Sequence, residues 1–153
     1  MSKRIIYIGA DSAGYDLKEI LKAKLENGGY TVFDMGPDSS ASCHYPIYAS
    51  KVSEQVQKDP EGAYGILICG TGIGMSMCAN KYNGVRAAVC SDTFSARMTR
   101  IHNNANVLCM GARVIGQCLA EDVLDALLCA EFEDVGRHRA RVDMMTEIEN
   151  KQK

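Results

Sequence analysis

The chain has 153 residues, 46% of them apolar and 24% charged, with a formal net charge of −2. That length fits a single domain over residues 1–153 with a core that needs no staples, and the near-neutral balance excludes a general affinity for nucleic acid. No apolar run approaches the roughly 20 residues of a bilayer span, Met1-Ser2-Lys3-Arg4 does not lead into a signal peptide, and seven cysteines without framework spacing fit free thiols in a reducing cytoplasm.

The elements alternate along the chain. Arg4–Gly9 reads as a strand. Leu17, Ile20, Leu21 and Leu25 are spaced for a helix over Ala13–Asn27, which Gly28-Gly29 stops. Tyr30–Asp34 reads as a second strand and Gly36–Cys43 as a polar loop. Pro46–Lys58 reads as a helix, with Val52 and Val56 on one face. Gly65–Cys69 is a third strand and Gly72–Lys81 a third helix. Val85–Cys90 is a fourth strand, and Asp92–His102 a helix carrying Phe94, Met98 and Ile101. Val107–Met110 is a short fifth strand. Leu119–Cys129 is a helix, and the last helix spans about Arg139–Asn150. Strands alternating with helices predict a three-layer α/β/α, Rossmann-like domain around a five-stranded parallel sheet.

In such sheets ligands bind outside the carboxyl ends of the strands. That rule selects Asp11-Ser12, Cys69-Gly70-Thr71, Ser91-Asp92, and Gly111 with Arg113, which are expected to converge on one rim. The segment Gly65–Ser76, GILICGTGIGMS, stands out among them. Its apolar run breaks on Gly70, Gly72 and Gly74 and restarts as a helix, so backbone N–H groups of the loop face one spot. Cys69 stands at the mouth of that loop, where a thiol ionises more readily. The plain alternative is a small buried strand residue.

Other candidates each have a structural reading beside the functional one. In His102-Asn103-Asn104-Ala105-Asn106, a helix cap and a turn account for two asparagines, but neither needs the histidine. A histidine there suits proton transfer at neutral pH. Arg137 and Arg141 share one helix face and suit a phosphate; otherwise they form a solvated basic face. Asp11 and Ser12 both fit a helix cap, which needs only one of them. Tyr45, in His44-Tyr45-Pro46, is either a hydrophobic staple or a pocket residue. The three histidines lie far apart and no C-x-x-C occurs, so no metal site is expected. A thiol base, an anion-holding loop, an imidazole and an arginine clamp are the parts for moving a proton beside the carbonyl of a sugar phosphate.

Taken together, Cys69-Gly70-Thr71-Gly72-Ile73-Gly74 with Asn80-Lys81 behind it, His102 to Asn106, and Gly136-Arg137-His138-x-x-Arg141-Val142 resemble the type B ribose-5-phosphate isomerases. Asp11-x-Ala13-Gly14 and Tyr45-Pro46 match as well, and the resemblance runs from about Arg4 to Glu149. It implies an aldose–ketose isomerase without metal or cofactor, acting through an enediolate on ribose 5-phosphate and ribulose 5-phosphate. Cys69 then matches the base between C1 and C2, and Thr71 a residue that helps move protons between the oxygens. The amides of Gly70, Thr71, Gly72, Ile73 and Gly74 match the hole for the enediolate oxygen, with Asn103 as a further contact. His102 matches the acid that opens the furanose ring, and Asp11 its ring-opening and substrate-binding partner. Arg113, Arg137 and Arg141 match phosphate contacts, and Tyr45 a pocket residue. The resemblance also implies a homodimer or homotetramer whose active sites are shared between chains, with no membrane or nucleic-acid partner.

Two departures stand out. Where the resembled family has Asp-His after the first strand, this chain has Asp11-Ser12, and Cys43-His44 precedes Tyr45 where an acidic residue is common. Ser12 is shorter and carries no charge at neutral pH, so a six-carbon substrate such as allose or galactose 6-phosphate is an alternative expectation. Two other classes compete. Gly70-Thr71-Gly72-Ile73-Gly74 is similar to a dinucleotide fingerprint, with Asp92 downstream, but Met75 stands where the last glycine belongs. A non-catalytic sugar-phosphate sensor would keep the fold without turnover, and the presence of Cys69, Thr71, His102 and Asn103 argues against it.

Overall fold

A computed structural model describes residues 4–152. Strand β1 (Ile5–Ala10) leads into helix α1 (Tyr15–Asn27), followed by β2 (Thr31–Asp34) and α2 (Tyr45–Lys58). Then come β3 (Ala63–Cys69), α3 (Ile73–Ala79), β4 (Ala87–Val89), α4 (Thr93–Asn103), β5 (Val107–Gly111), α5 (Gln117–Leu128) and α6 (Gly136–Asn150). The five strands form one parallel sheet in the order β2-β1-β3-β5-β4. This is the α/β architecture that the alternation predicts.

Apolar periodicity decides which helix covers which face. Leu17, Leu21 and Leu25 of α1 are spaced four apart and pack with Ile6, Ile8, Ile66 and Ile68. Val123, Leu124 and Leu127 of α5 and Ala96 of α4 complete that layer. On the other face, Ala49, Val52 and Val56 of α2 meet Leu67, Met75 and Ala79. All seven residues of β3 are buried, as a central parallel strand covered on both faces requires.

Of the boundaries that differ from the sequence reading, three have a clear physical cause or bear on the site. Strand β3 starts earlier, because Ala63 and Tyr64 pair with Ile5 and Ile6. Strand β4 is shorter than Val85–Cys90, because Val85 and Arg86 spend their N–H groups elsewhere. Val85 donates to Tyr82 O at 3.2 Å, and Arg86 donates to Asn106 Oδ1 at 2.8 Å. Helix α6 starts at Gly136, so the basic run lies in its first turns rather than ahead of it.

Two polar devices hold the edges. The Lys18 ammonium is fully buried and donates to both Asp34 carboxylate oxygens at 2.8 Å and to Pro37 O at 2.9 Å, fixing the segment after β2 to α1. At the β4 edge, Asn80 Nδ2 donates to Ala87 O at 3.0 Å and its Oδ1 accepts the Ala87 N–H at 2.8 Å. The Asn80 amide thus stands where another strand would pair. Among the described residues, no helix is long and apolar enough to cross a membrane.

Candidate active site

Neighbouring strands β1 and β3 send their following helices to opposite faces, α1 to one and α3 to the other. A crevice opens at such a point, outside the carboxyl ends of the strands. Asp11 follows β1 and Cys69 ends β3, so both stand there. Asp11 donates its N–H to Ile68 O at 3.1 Å, and its Oδ1 accepts the Gly14 N–H at 3.0 Å. Of the two capping candidates, Asp11 therefore closes the turn into α1, with Ser12 beside it. A Cβ on Gly14 would lie 2.2 Å from Ile68 O, so only glycine lets α1 begin this close to β3.

Cys69 is 5% exposed, and the Gly72 N–H donates to its sulfur at 3.1 Å. Gly72 holds this pose with φ +80°, and a Cβ there would lie 2.9 Å from the Met110 carbonyl carbon. The exposed Thr71 hydroxyl accepts the Ile73 N–H at 3.3 Å. The turn after β5 is joined to this loop: Ala112 N–H donates to Cys69 O at 2.8 Å and Arg113 N–H to Gly70 O at 3.1 Å. Arg113 consequently overhangs the loop, its Nη1 lying 3.6 Å from where a Gly70 Cβ would stand. Tyr45, the first residue of α2, closes another side, its ring 2.7 Å from where a Gly74 Cβ would stand.

Two other cysteines, Cys109 on β5 and Cys90 just past β4, do not share this setting. Burial first, and the nearby Asp92 second, push the Cys90 thiol up to about 11. Cys109 is driven well above the ordinary thiol value by complete burial, with Cys69 and Cys90 adding to the effect. Both are held as thiols at neutral pH.

Asp11, Ser12, Tyr45, the loop Gly70–Gly74 and Arg113 gather beside Cys69. Asp92 follows β4 at the same carboxyl edge of the sheet. Its Oδ1 caps α4 by accepting the Ser95 N–H at 2.7 Å, which spends the carboxylate that a dinucleotide reading would need. Helix α4 then runs back along the parallel sheet, so His102 and Asn103 in its last turn stand at the opposite end from Cys69.

A second cluster forms at that far end. Asn104 takes the left-handed cap at φ 52°, and its Oδ1 accepts from the buried Arg100 guanidinium. Asn106 donates to Pro60 O at 3.1 Å and to Gly84 O at 2.9 Å. These two asparagines shape the turn, as the sequence reading allows, and leave Asn103 exposed. His102 stacks on His138 of α6, and Arg139 pairs with Asp134 and Asp143. Arg137 and Arg141 are exposed, and among the described residues no carboxylate pairs with either. The basic run therefore splits into a paired Arg139, an inward His138 and two outward cations. Sequence reasoning missed His138, although its spacing four residues before the buried Val142 marks it as inward-facing.

The ribose/galactose isomerase family matches residues 6–145. The chain belongs to the ribose/galactose isomerase family. This membership makes it an aldose–ketose isomerase by class. It is 47% identical over 146 residues to a ribose-5-phosphate isomerase B of Escherichia coli, covering 95% of this chain and 97% of that one. It is 48% identical over 132 residues to a D-erythrulose-4-phosphate isomerase of Pectobacterium atrosepticum, covering 86% of each. It also superimposes, at a TM-score of 0.92 and 39% identity, on a ribose-5-phosphate isomerase B of Mycoplasma genitalium with bound ribulose 5-phosphate. That match covers 95% of this chain and 96% of the other.

Proposed function

We propose that this ribose/galactose isomerase family member interconverts ribose 5-phosphate and ribulose 5-phosphate through an enediolate. It does so in sites completed by a second copy of the chain. The observation that carries the reading is the Cys69 sulfur at the β1/β3 crevice, with the Gly72 N–H aimed at it and a glycine loop beside it. The E. coli and M. genitalium relatives support the choice of sugar.

The site as a single chain supplies it is half of what the reaction needs. Ring opening requires an acid at the ring oxygen and a base at the anomeric hydroxyl. Asp11 serves as the base. The acid, His102, lies at the far end of its own sheet, so it comes from the partner subunit. Asn103, Arg137 and Arg141 of the partner subunit come with it. Ile73, Met77 and Phe94 are 50%, 65% and 64% exposed, apolar surface that suits contact between copies.

His102 of the partner subunit protonates the ring oxygen as Asp11 takes the anomeric proton, giving the open aldehyde. Cys69, as thiolate, removes the proton from C2. The electron pair passes into the C1–C2 double bond, and the carbonyl oxygen becomes an oxyanion. The amides of Gly70, Thr71, Gly72, Ile73 and Gly74 hold that oxyanion, aided by Asn103 of the partner subunit. Thr71 relays a proton between O1 and O2, and Cys69 returns its proton to C1, leaving the ketose. Arg113 grips the phosphate with Arg137 and Arg141 of the partner subunit, and Tyr45 lines the pocket.

A second reading changes only the sugar. The family description includes galactose, and the P. atrosepticum relative is named for a four-carbon ketose phosphate. Turnover of four-, five- and six-carbon aldose phosphates, measured with a chelator present, separates the readings. A clear preference for ribose 5-phosphate is expected. A preference for allose or galactose 6-phosphate, or for the four-carbon sugar, would transfer the mechanism to that sugar and make Ser12 a specificity candidate. No turnover on any of them would overturn the proposal.

A further inference from the structure

We propose that His138 is a positioning residue for His102, its ring forming the fixed face against which the ring-opening imidazole is set. This inference rests on the proposed role of His102. The two ring centroids are 4.5 Å apart and the planes differ by 7°. That is the near edge of the range over which aromatic rings stack.

His138 is 7% exposed and anchored from the other side. Its Nε2 lies 3.1 Å from Glu133 Oε2. Glu133 is in turn tied to the residue before His102, since its backbone N–H donates to Ile101 O at 3.0 Å. The links therefore close a circuit from Ile101 through Glu133 to His138 and back onto His102. The Glu133 contact fixes the rotation of the His138 ring, and the stacked face removes rotational freedom from His102.

His102 needs such support because of where it sits. It lies in the last turn of α4, followed by a left-handed residue at Asn104, and it is only partly buried. A proton donor there would swing about two side-chain torsions. A displacement of about 1 Å in a reacting group costs on the order of 10² in rate. The burial of α6 fits this role. His138 and Val142 are its buried residues, so this helix spends its inward face on the imidazole stack and turns Arg137 and Arg141 outward. His138 itself is not placed to act as an acid, because its Nε2 is engaged by Glu133.

Two reactions separate ring opening from the rest of the chemistry. Ribose 5-phosphate turnover needs the ring opened. Ribulose 5-phosphate has no furanose form, because its C5 oxygen carries the phosphate. Deuterium wash-in from solvent at its C1 therefore needs only the base and the anion-holding loop. For His138→Ala, kcat on ribose 5-phosphate should fall about 10²-fold, with KM and C1 exchange within about threefold of wild type. His138→Phe keeps a ring face and should recover most of the turnover. His138→Gln keeps a partner for Glu133 but no ring, and should behave like His138→Ala; this pair serves if the alanine variant fails to fold. Unchanged ribose 5-phosphate turnover in His138→Ala, or an equal fall of both reactions in His138→Ala and His138→Gln, would overturn the inference. The underlying reading fails separately. His102→Ala would then keep ribose 5-phosphate turnover or lose C1 exchange as well, or the wild type would exchange nothing.

Discussion

The Gly72 N–H points at the Cys69 sulfur from 3.1 Å, across a turn that only a left-handed residue can make. The donor is positioned to face negative charge on the sulfur. Replacing Cys69 by Ala removes the base and leaves the loop and Arg113 in place. The expected outcome is a fall in kcat of about 10³, within the usual range for a lost general base. Calorimetric affinity for a sugar phosphate should be nearly unchanged. Retained turnover would remove Cys69 from the chemistry.

Gly72→Ala tests the loop. A side chain at φ +80° costs roughly 1–2 kcal/mol locally, and its Cβ would press on the Met110 backbone, which cannot yield. The loop must shift, and the amides with it. Loss of one oxyanion donor typically costs about 10²–10³ in rate. The variant should keep its far-ultraviolet circular dichroism while kcat/KM falls by that order. Wild-type kinetics would mean that the loop amides do not meet the developing charge.

Shared sites predict complementation. Cys69→Ala and His102→Ala chains should each be weak alone. After mixing and reassortment, half the dimers are hybrids, and each hybrid holds one site with both residues intact. Activity should then rise to about a quarter of wild type, as two-fold symmetry requires. A mixture no better than its parts would show that each chain works by itself.

Asp34 carries a pH-dependent share of stability. Burial raises its carboxyl pKa, but hydrogen bonds from Lys18, the Gly36 N–H and Lys22 outweigh that and hold it below the ordinary 3.8. A depressed folded value gives stability that is fully present above the unfolded value and is lost as pH falls through the folded one. Asp34→Asn should therefore destabilise the chain at pH 7 and matter progressively less below pH 3.8. The expected cost at neutral pH is about 2–3 kcal/mol, below the usual ~3–5 for breaking a buried pair, because Lys18 keeps Glu19 and Pro37 O. Denaturant melts of both proteins at neutral and acid pH check the sign.

The sheet was legible in the sequence because its central strands β3 and β5 are buried on both faces and its helices carry apolar residues four apart. The ends of elements were less so. Nothing local in Val85-Arg86 reveals that Arg86 gives its N–H to a side chain twenty residues away. The crevice part of the candidate site was readable for the same reason as the fold: parallel sheets bind at their carboxyl ends, and Cys69, Asp11 and Arg113 sit there. The far half was readable only as motifs. Its placement depends on the direction in which α4 runs, and the inward turn of His138 depends on a helix start that the sequence placed three residues late.

The Asn80 amide at the β4 edge has a consequence over time. Spontaneous deamidation would replace its donor nitrogen by a carboxylate oxygen, setting negative charge against the Ala87 carbonyl it now binds. An uncovered edge is a template for pairing with another chain. The ageing of one side chain would therefore be felt first as stickiness at the border of the sheet, while the crevice at its centre stayed intact.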